Sequence, residues 1–486
     1  MGIVLKQSFK NTVVTFIGFG FGAINTLFLY TNILEPKYYG LVTFILATGA
    51  ILMPIMASGA HNGLVKYYSA QTGKSKNGFF TLIMILPLLV ILPLTLVVWL
   101  AHDGIGDFLS VKNTLVKDYL WYLFLVGIAM AYFEVYYAWS KVQLKSVFGN
   151  FLKEVFARIS TSILLVLLYL EVITLDFFLM AIVGVYLLRT LWMKLYAFSL
   201  QKPVLDFHFP KETRTIIGYG LLMVVGGSVS LILLEIDKFM INQFQALENV
   251  AYYGVAVYIA TSIIVPARAM NQITYPLTAN YLNENNFFEL EKLYRKTSLT
   301  AFIASGILFI LIVLNINDLF MMLPEEYRGG FAIIALIGMA KVFDSLLGNV
   351  NAILYYSEYY KWVLLMGACF AATTILLNLW LIPLYGIEGA ALASFISIFL
   401  FNLSKLIFVK LKFGFLPFSR ATFKVLATLL LLLVLFYVLQ FPFHPIVNII
   451  LKSVLIVAMY LGILFRFEIS EDVTGVLSKW LKRREE

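Results

Sequence analysis

The chain is poor in charge. Lys, Arg, Asp and Glu supply 13% of its 486 residues, whereas 61% are hydrophobic and the mean hydropathy is +0.89. A soluble domain carries about 25% charged residues, because polar groups must cover its surface. The apolar excess excludes an ordinary soluble fold. It fits a bilayer, where lipid-facing helix surfaces stay apolar and each helix pairs its own backbone amides. Cys369 is the single cysteine, which excludes an intramolecular disulfide framework; in its apolar run it is expected to pack as a small hydrophobe. His61, His102, His208 and His444 stand apart, with no partner at metal-ligand spacing, so no metal is expected. The sequence also lacks a Walker A motif, a Ser-His-Asp constellation and any loop long enough for an extramembrane enzyme domain. ATP-driven and hydrolytic classes are set aside, and no cofactor is expected.

What the chain has is long apolar runs. A helix crosses a bilayer with about 20 mostly apolar residues. Fourteen runs qualify, near 11–33, 41–65, 79–101, 119–140, 152–171, 177–199, 215–241, 250–273, 297–316, 330–353, 361–382, 387–408, 422–440 and 445–465. The first follows Lys6 and Lys10 as a signal peptide would, but at about 22 residues, without a small-residue cleavage site, it reads as a retained helix. With the N-terminus in the cytoplasm, 29 of the 36 basic residues fall in inward segments. Outward segments hold Lys37, Lys112, Lys117, Lys238 and Arg328. That asymmetry predicts an even span number with both termini cytoplasmic. It also accounts for the net charge of +9, since anionic inner-leaflet lipid attracts the same residues and no nucleic-acid partner is needed. Beyond Glu471, Val473, Val476, Leu477, Trp480 and Leu481 recur at helical spacing beside Lys479, Lys482, Arg483 and Arg484, the pattern of an amphipathic helix on the membrane surface.

An internal repeat organises the runs. Tyr38, Tyr39 and Gly40 precede the second span; Tyr252, Tyr253 and Gly254 open the eighth. An even number of spans separates the copies, so both have the same orientation, as in parallel repeats related by an axis along the membrane normal. The expected architecture is an all-α integral membrane protein of about fourteen transmembrane helices, with two pseudo-symmetric six-helix lobes around a central cavity plus two C-terminal helices. The divisions are 1–205 for the N-lobe, 206–414 for the C-lobe, 415–470 for spans thirteen and fourteen, and 471–486 for the cytoplasmic tail.

Four stretches carry a family resemblance: Ile33 to Val42 (ILEPKYYGLV), Glu235 to Ile241 (EIDKFMI), Val250 to Val255 (VAYYGV) and Ile382 to Ala393 (IPLYGIEGAALA). In this order, on a fourteen-span pattern, they resemble the Wzx-type O-antigen flippases, the polysaccharide-exporter branch of the multidrug/oligosaccharidyl-lipid/polysaccharide superfamily. The resemblance implies transfer of a polyprenyl-diphosphate-linked oligosaccharide across the bacterial inner membrane by alternating access. The product would be a surface polysaccharide of O-antigen or capsule type. Membrane lipid and a polysaccharide polymerase complex are the implied partners. A lipid II flippase and a drug/cation antiporter of the same superfamily share these features. A membrane polymerase or ligase would need a long outward loop, and the longest here, near 102–118, is short.

Ionisable groups inside spans are costly and mark candidate sites. Lys341 and Asp344, three residues apart on the tenth span, share a face and can pair. Asn62 and Lys66 lie on one face of the second span, and Arg268 stands near the inner end of the eighth. Given the resemblance, Asn62, Lys66, Arg268 and Lys341 are candidates to bind the diphosphate. Glu134, among Tyr132, Tyr136 and Tyr137, and Asp344 are candidates for ion coupling. The competing readings are snorkelling for Lys66 and Arg268 and structural pairing for the carboxylates. Asp237 and Lys238 read as an interfacial helix end.

Overall fold

A computed structural model describes residues 2–71, 73–224, 229–439 and 441–470. The amphipathic tail expected from Glu471 lies outside them. Among the described residues every regular element is a helix. Among the described residues, ten helices are long and apolar enough to cross a membrane, or eleven counting one bent pair, Phe331–Leu346 with Val350–Tyr356. Helix also occupies each expected run that falls short of this test. The fifth is continuous through Val147–Phe151, Leu152–Phe156 and Ala157–Tyr169, but it carries Lys153, Glu154 and Arg158. The seventh is Thr213–Leu222 followed by Val229–Phe244.

The eleventh and twelfth runs form one helical stretch, Tyr360–Phe413, of 54 residues. A straight helix of that length would extend about 80 Å against a hydrocarbon core of about 30 Å. It turns instead at Gly386, whose φ of 60° and ψ of −137° are open to glycine and strained for other residues. A side chain at Gly389 would strike the backbone of Leu381 and Ile382, a proximity that only a reversed chain allows. The stretch is therefore a hairpin of two spans, turning within the motif Ile382 to Ala393.

By internal contacts the chain forms two compact units, Met1–Gly254 with Gly367–Ala390, and Val255–Met366 with Ala391–Glu486. In the first, the fourth span packs against the second and sixth, and the first span against the fifth. Its core gathers on Trp139, fully buried and stacked on Phe80 at 3.9 Å. The two Tyr-Tyr-Gly motifs meet here: a Cβ on Gly40 would run into the Leu247 backbone, and one on Gly254 would touch Thr43. Glycine lets the helices carrying the repeat approach closely.

In the second unit the ninth span, Phe287–Met321, is the hub, packed by the tenth and by the thirteenth and fourteenth, Arg420–Tyr437 and Pro445–Arg466. Phe302, Ile310 and Leu314 interlock with Val425, Leu432, Ile456 and Tyr460. Hydrogen bonds pin the fourteenth span to the ninth: Tyr460 Oη to the Ile303 carbonyl at 3.1 Å, Lys452 Nζ to the Leu314 carbonyl at 2.8 Å, and Asn448 to Asp318 at 3.1 Å. Interhelical bonds in membranes contribute about 0.6 kcal/mol each, so packing carries most of the association.

Candidate functional site

Each unit contains an intramembrane charge cluster. In the first, Glu134 of the fourth span accepts a hydrogen bond from Lys153 Nζ of the fifth at 2.5 Å. The carboxylate is 12% exposed and the lysine 41% exposed. Lys153 lies in Leu152–Phe156, a π-helical turn inside the fifth span. Such bulges are rare and frequent at functional sites. The first span has a matching π turn, Asn25–Leu29. Its Asn25 donates to the Arg158 carbonyl at 2.8 Å and accepts from Ser162 Oγ at 2.5 Å, so side chains satisfy groups around both irregular turns.

Further groups face Glu134. Lys141, on the next turns of the same helix, lies over the Tyr137 ring at 3.8 Å. His61 of the second span faces the carboxylate and is held through Nε2 by Asn62 at 3.0 Å. Buried Arg189, on the sixth span, lies over Phe133 at 4.3 Å and Tyr186 at 4.5 Å. Glu154 pairs with Arg158 at 3.2 Å. Four cations, Lys141, Lys153, Arg158 and Arg189, thus accompany two carboxylates, Glu134 and Glu154, and aromatic faces hold two of the cations. An aromatic face attracts a cation without neutralising it, so the cluster keeps a positive excess. Lys66, one helical turn beyond Asn62, lies over the Tyr219 ring at 3.8 Å and is exposed.

The second unit reverses this arrangement. Lys405 of the twelfth span is 2% exposed by side chain, and Asp344 of the tenth, 3.9 Å away, is 29% exposed. Lys405 also donates to Asn351 Oδ1 at 3.1 Å and lies over Phe401 at 4.4 Å. Asp344 and Asn351 flank the 58° break of the tenth span. The break frees backbone groups that a membrane cannot hydrate. Ser298 Oγ donates to the Leu346 carbonyl at 2.5 Å, and buried Asn349 donates to Thr278 Oγ1 at 2.6 Å and accepts from Thr297 Oγ1 at 3.0 Å. The eighth, ninth and tenth spans are thereby tied at the bend that sets Asp344 and Asn351 around Lys405. Lys341 is buried on the same helix, one turn before Asp344. Arg268 is exposed on Val265–Asn283 and has no ion pair among the described residues.

Of the residues singled out from sequence, Asn62 holds His61, whose charge would act on Glu134, and Lys341 and Asp344 share a helix. Lys153, Arg189 and Lys405 are not singled out by the sequence, which counts them with the cytoplasmic flanks. Lys405 has a signal in hindsight: Ser397, Asn402 and Ser404 precede it on an otherwise apolar helix. Asp237 departs from its expected interfacial role. It is 4% exposed, accepting from Tyr253 Oη at 2.5 Å and from Asn378 Nδ2 at 2.8 Å, and so joins the seventh, eighth and eleventh spans. Lys238 pairs with Glu235 at 2.6 Å.

A family model described as "Polysaccharide biosynthesis protein" matches residues 4–282. Among solved structures, the lipid II flippase MurJ in an inward closed conformation superposes with a TM-score of 0.69 at 15% identity, covering 95% of this chain and 99% of MurJ. An inward-facing multidrug resistance MATE family transporter of the MOP superfamily gives 0.60 at 15% identity, over 83% of this chain and 94% of the other. A MOP superfamily transporter from Pyrococcus furiosus, described as having a binding pocket of reversed polarity, gives 0.57 at 14% identity, over 86% and 96%. At these identities the likeness establishes the fold, an all-helical multi-pass membrane fold of the MOP type. No curated protein matches the chain in sequence.

Proposed function

Because the chain belongs to the polysaccharide biosynthesis protein family, we propose that it is a flippase for a polyprenyl-diphosphate-linked oligosaccharide, working by alternating access in a bacterial inner membrane with both termini cytoplasmic. The observation that carries the anionic-substrate reading is the cation excess around Glu134, where Lys141 and Arg189 rest on aromatic rings. Intramembrane cations are retained where an anion visits them, and a diphosphate offers charge-assisted hydrogen bonds to each. Asn62, Lys66, Arg268 and Lys341 contribute to holding the diphosphate, and Glu134 and Asp344 couple an ion to the cycle. The chain transports and does not catalyse a covalent step. A polysaccharide polymerase complex is the natural recipient of its product.

In cells dependent on this protein, Lys66→Gln with Arg268→Gln should accumulate lipid-linked oligosaccharide on the cytoplasmic leaflet at unchanged protein abundance. Normal surface polysaccharide in that variant would remove both residues from the mechanism. A lipid II flippase shares the fold and would present the same diphosphate; rescue of peptidoglycan export, with no effect on other surface glycans, would select it. Reporter fusions after residues 75, 206 and 486 should lie in the cytoplasm and one after 110 outside; a periplasmic C-terminus would overturn the orientation.

A further inference from the structure

The pair Glu134–Lys153 has an uneven construction that a purely structural bridge does not need. Its anion is enclosed and its cation is reachable. The lysine sits on a π turn, where an extra residue re-aims a side chain at the cost of regular helix bonding. Lys141, the other lysine facing Glu134, is exposed on its ring of Tyr137. Two lysines with exposed side chains therefore share one enclosed carboxylate.

We propose that Lys153 and Lys141 form a diphosphate seat whose resident counter-ion is Glu134, and that an arriving diphosphate displaces the carboxylate, which then takes up one proton. This rests on the flippase reading and adds residues and a coupling step to it. The exchange follows from charge. A diphosphate presents more negative oxygens than one carboxylate and makes stronger charge-assisted bonds to the ammonium groups. Once Lys153 turns to the ligand, Glu134 is enclosed beside a new anion. A carboxylate so placed is neutralised by a proton from the aqueous phase, forming its O–H bond with no other covalent change. The groups facing Glu134 are Lys153 from the fifth span, His61 from the second, Arg189 from the sixth, and Lys141 and Tyr137 from its own helix. Glu154 keeps Arg158 at 3.2 Å when Lys153 turns to the ligand, so Glu134 is the carboxylate that loses its bridge and titrates.

The test uses the purified full chain in nanodiscs with inorganic pyrophosphate as probe, by calorimetry at neutral pH in two buffers of different ionisation enthalpy. Protons exchanged by pyrophosphate itself are common to all variants, so the difference between wild type and Glu134→Gln isolates the carboxylate. Wild type should take up about one proton more than Glu134→Gln, the full titration of one carboxylate. Lys153→Gln should weaken binding at least about tenfold, as for loss of a hydrogen bond to a charged group; Lys153→Arg should retain it, and Glu134→Gln should bind at least as tightly as wild type. Farnesyl diphosphate should displace the probe better than uridine diphosphate if the seat serves a lipid-linked ligand. Equal proton uptake in wild type and Glu134→Gln, weakening by Glu134→Gln as large as by Lys153→Gln, or no pyrophosphate binding would each overturn the seat. Preferential displacement by uridine diphosphate would overturn its lipid-linked occupant. A parallel flipping assay separates the two readings. Flipping without the proton difference leaves the function and removes the exchange, whereas the proton difference without flipping does the reverse.

Discussion

Glu134 with Lys153, and Asp344 with Lys405, are intramembrane ion pairs of opposite construction. In the first the carboxylate is enclosed and the ammonium reachable; in the second the ammonium is enclosed and the carboxylate reachable. Taking an ion out of water costs several kcal/mol even after relaxation, and only good geometry with added hydrogen bonds offsets this. The enclosed Lys405 has such help from Asn351 and the Phe401 ring. The enclosed Glu134 has Lys141 and His61. On the proposed function, the reachable member of each pair would decide what the site attracts: an anion toward Lys153, a cation or proton toward Asp344. A single count of charges over the whole chain would conceal this division.

Removing the reachable ion strands the enclosed one, and the damage should depend on what remains beside it. Asp344→Asn should be the most destabilising change, because Asp344 is the carboxylate that faces Lys405. We expect a loss of about 2 kcal/mol, below the 3–5 kcal/mol of a fully buried pair because Asp344 is partly exposed. Thermal unfolding in detergent measures it, and adding Lys405→Met should restore most of the loss; a double variant no better than the single one would show that Lys405 does not depend on its charge partner. Lys153→Gln should cost about 1 kcal/mol, since Lys141 still faces Glu134. A loss matching that of Asp344→Asn would erase the distinction drawn between the two pairs.

Glu134→Gln should change unfolding by no more than about 0.5 kcal/mol, because it leaves an exposed lysine with access to water. The smallest effect belongs outside the membrane. Lys117 is bound by Asp107 at 2.8 Å, and that bond holds its ammonium above the usual lysine range. A raised lysine contributes fully below its unfolded value and loses the contribution only as pH rises through the folded one. The protection that Lys117 lends the 102–118 loop, read as the difference in backbone exchange between wild type and Lys117→Met at each pH, should therefore be the same in mildly acidic and mildly alkaline buffer; a transition in that window would assign the loop to another group.

Hydropathy located the helices because a bilayer demands length and apolarity, and the hairpin at Gly386 was readable from Pro383, Gly386 and Gly389 between two apolar runs. Hydropathy does not report which way a side chain faces. The tally of basic residues credits Arg189 and Lys405 to cytoplasmic flanks, although the structure buries both within helices; the inward excess of basic residues survives their removal. Asp237 read as a helix end because Lys238 follows it, but its Tyr253 and Asn378 partners come from other helices and no local pattern announces them. The π turns left no mark either, since one extra residue in a helical turn changes neither composition nor apolar periodicity enough to register.

The π turn at Leu152–Phe156 also bears on how such a protein can change over time. One residue removed from that turn restores ordinary helical winding, and because a π turn takes up its extra residue within itself, the chain on either side keeps nearly the same facing. The span would keep its length within one rise per residue and could still insert, yet the residues of the turn itself, Lys153 among them, would be re-aimed. A single-codon deletion could thus leave a well-inserted helix while dissolving its charge chemistry. In this fold, membrane insertion and ligand specificity can be inherited separately.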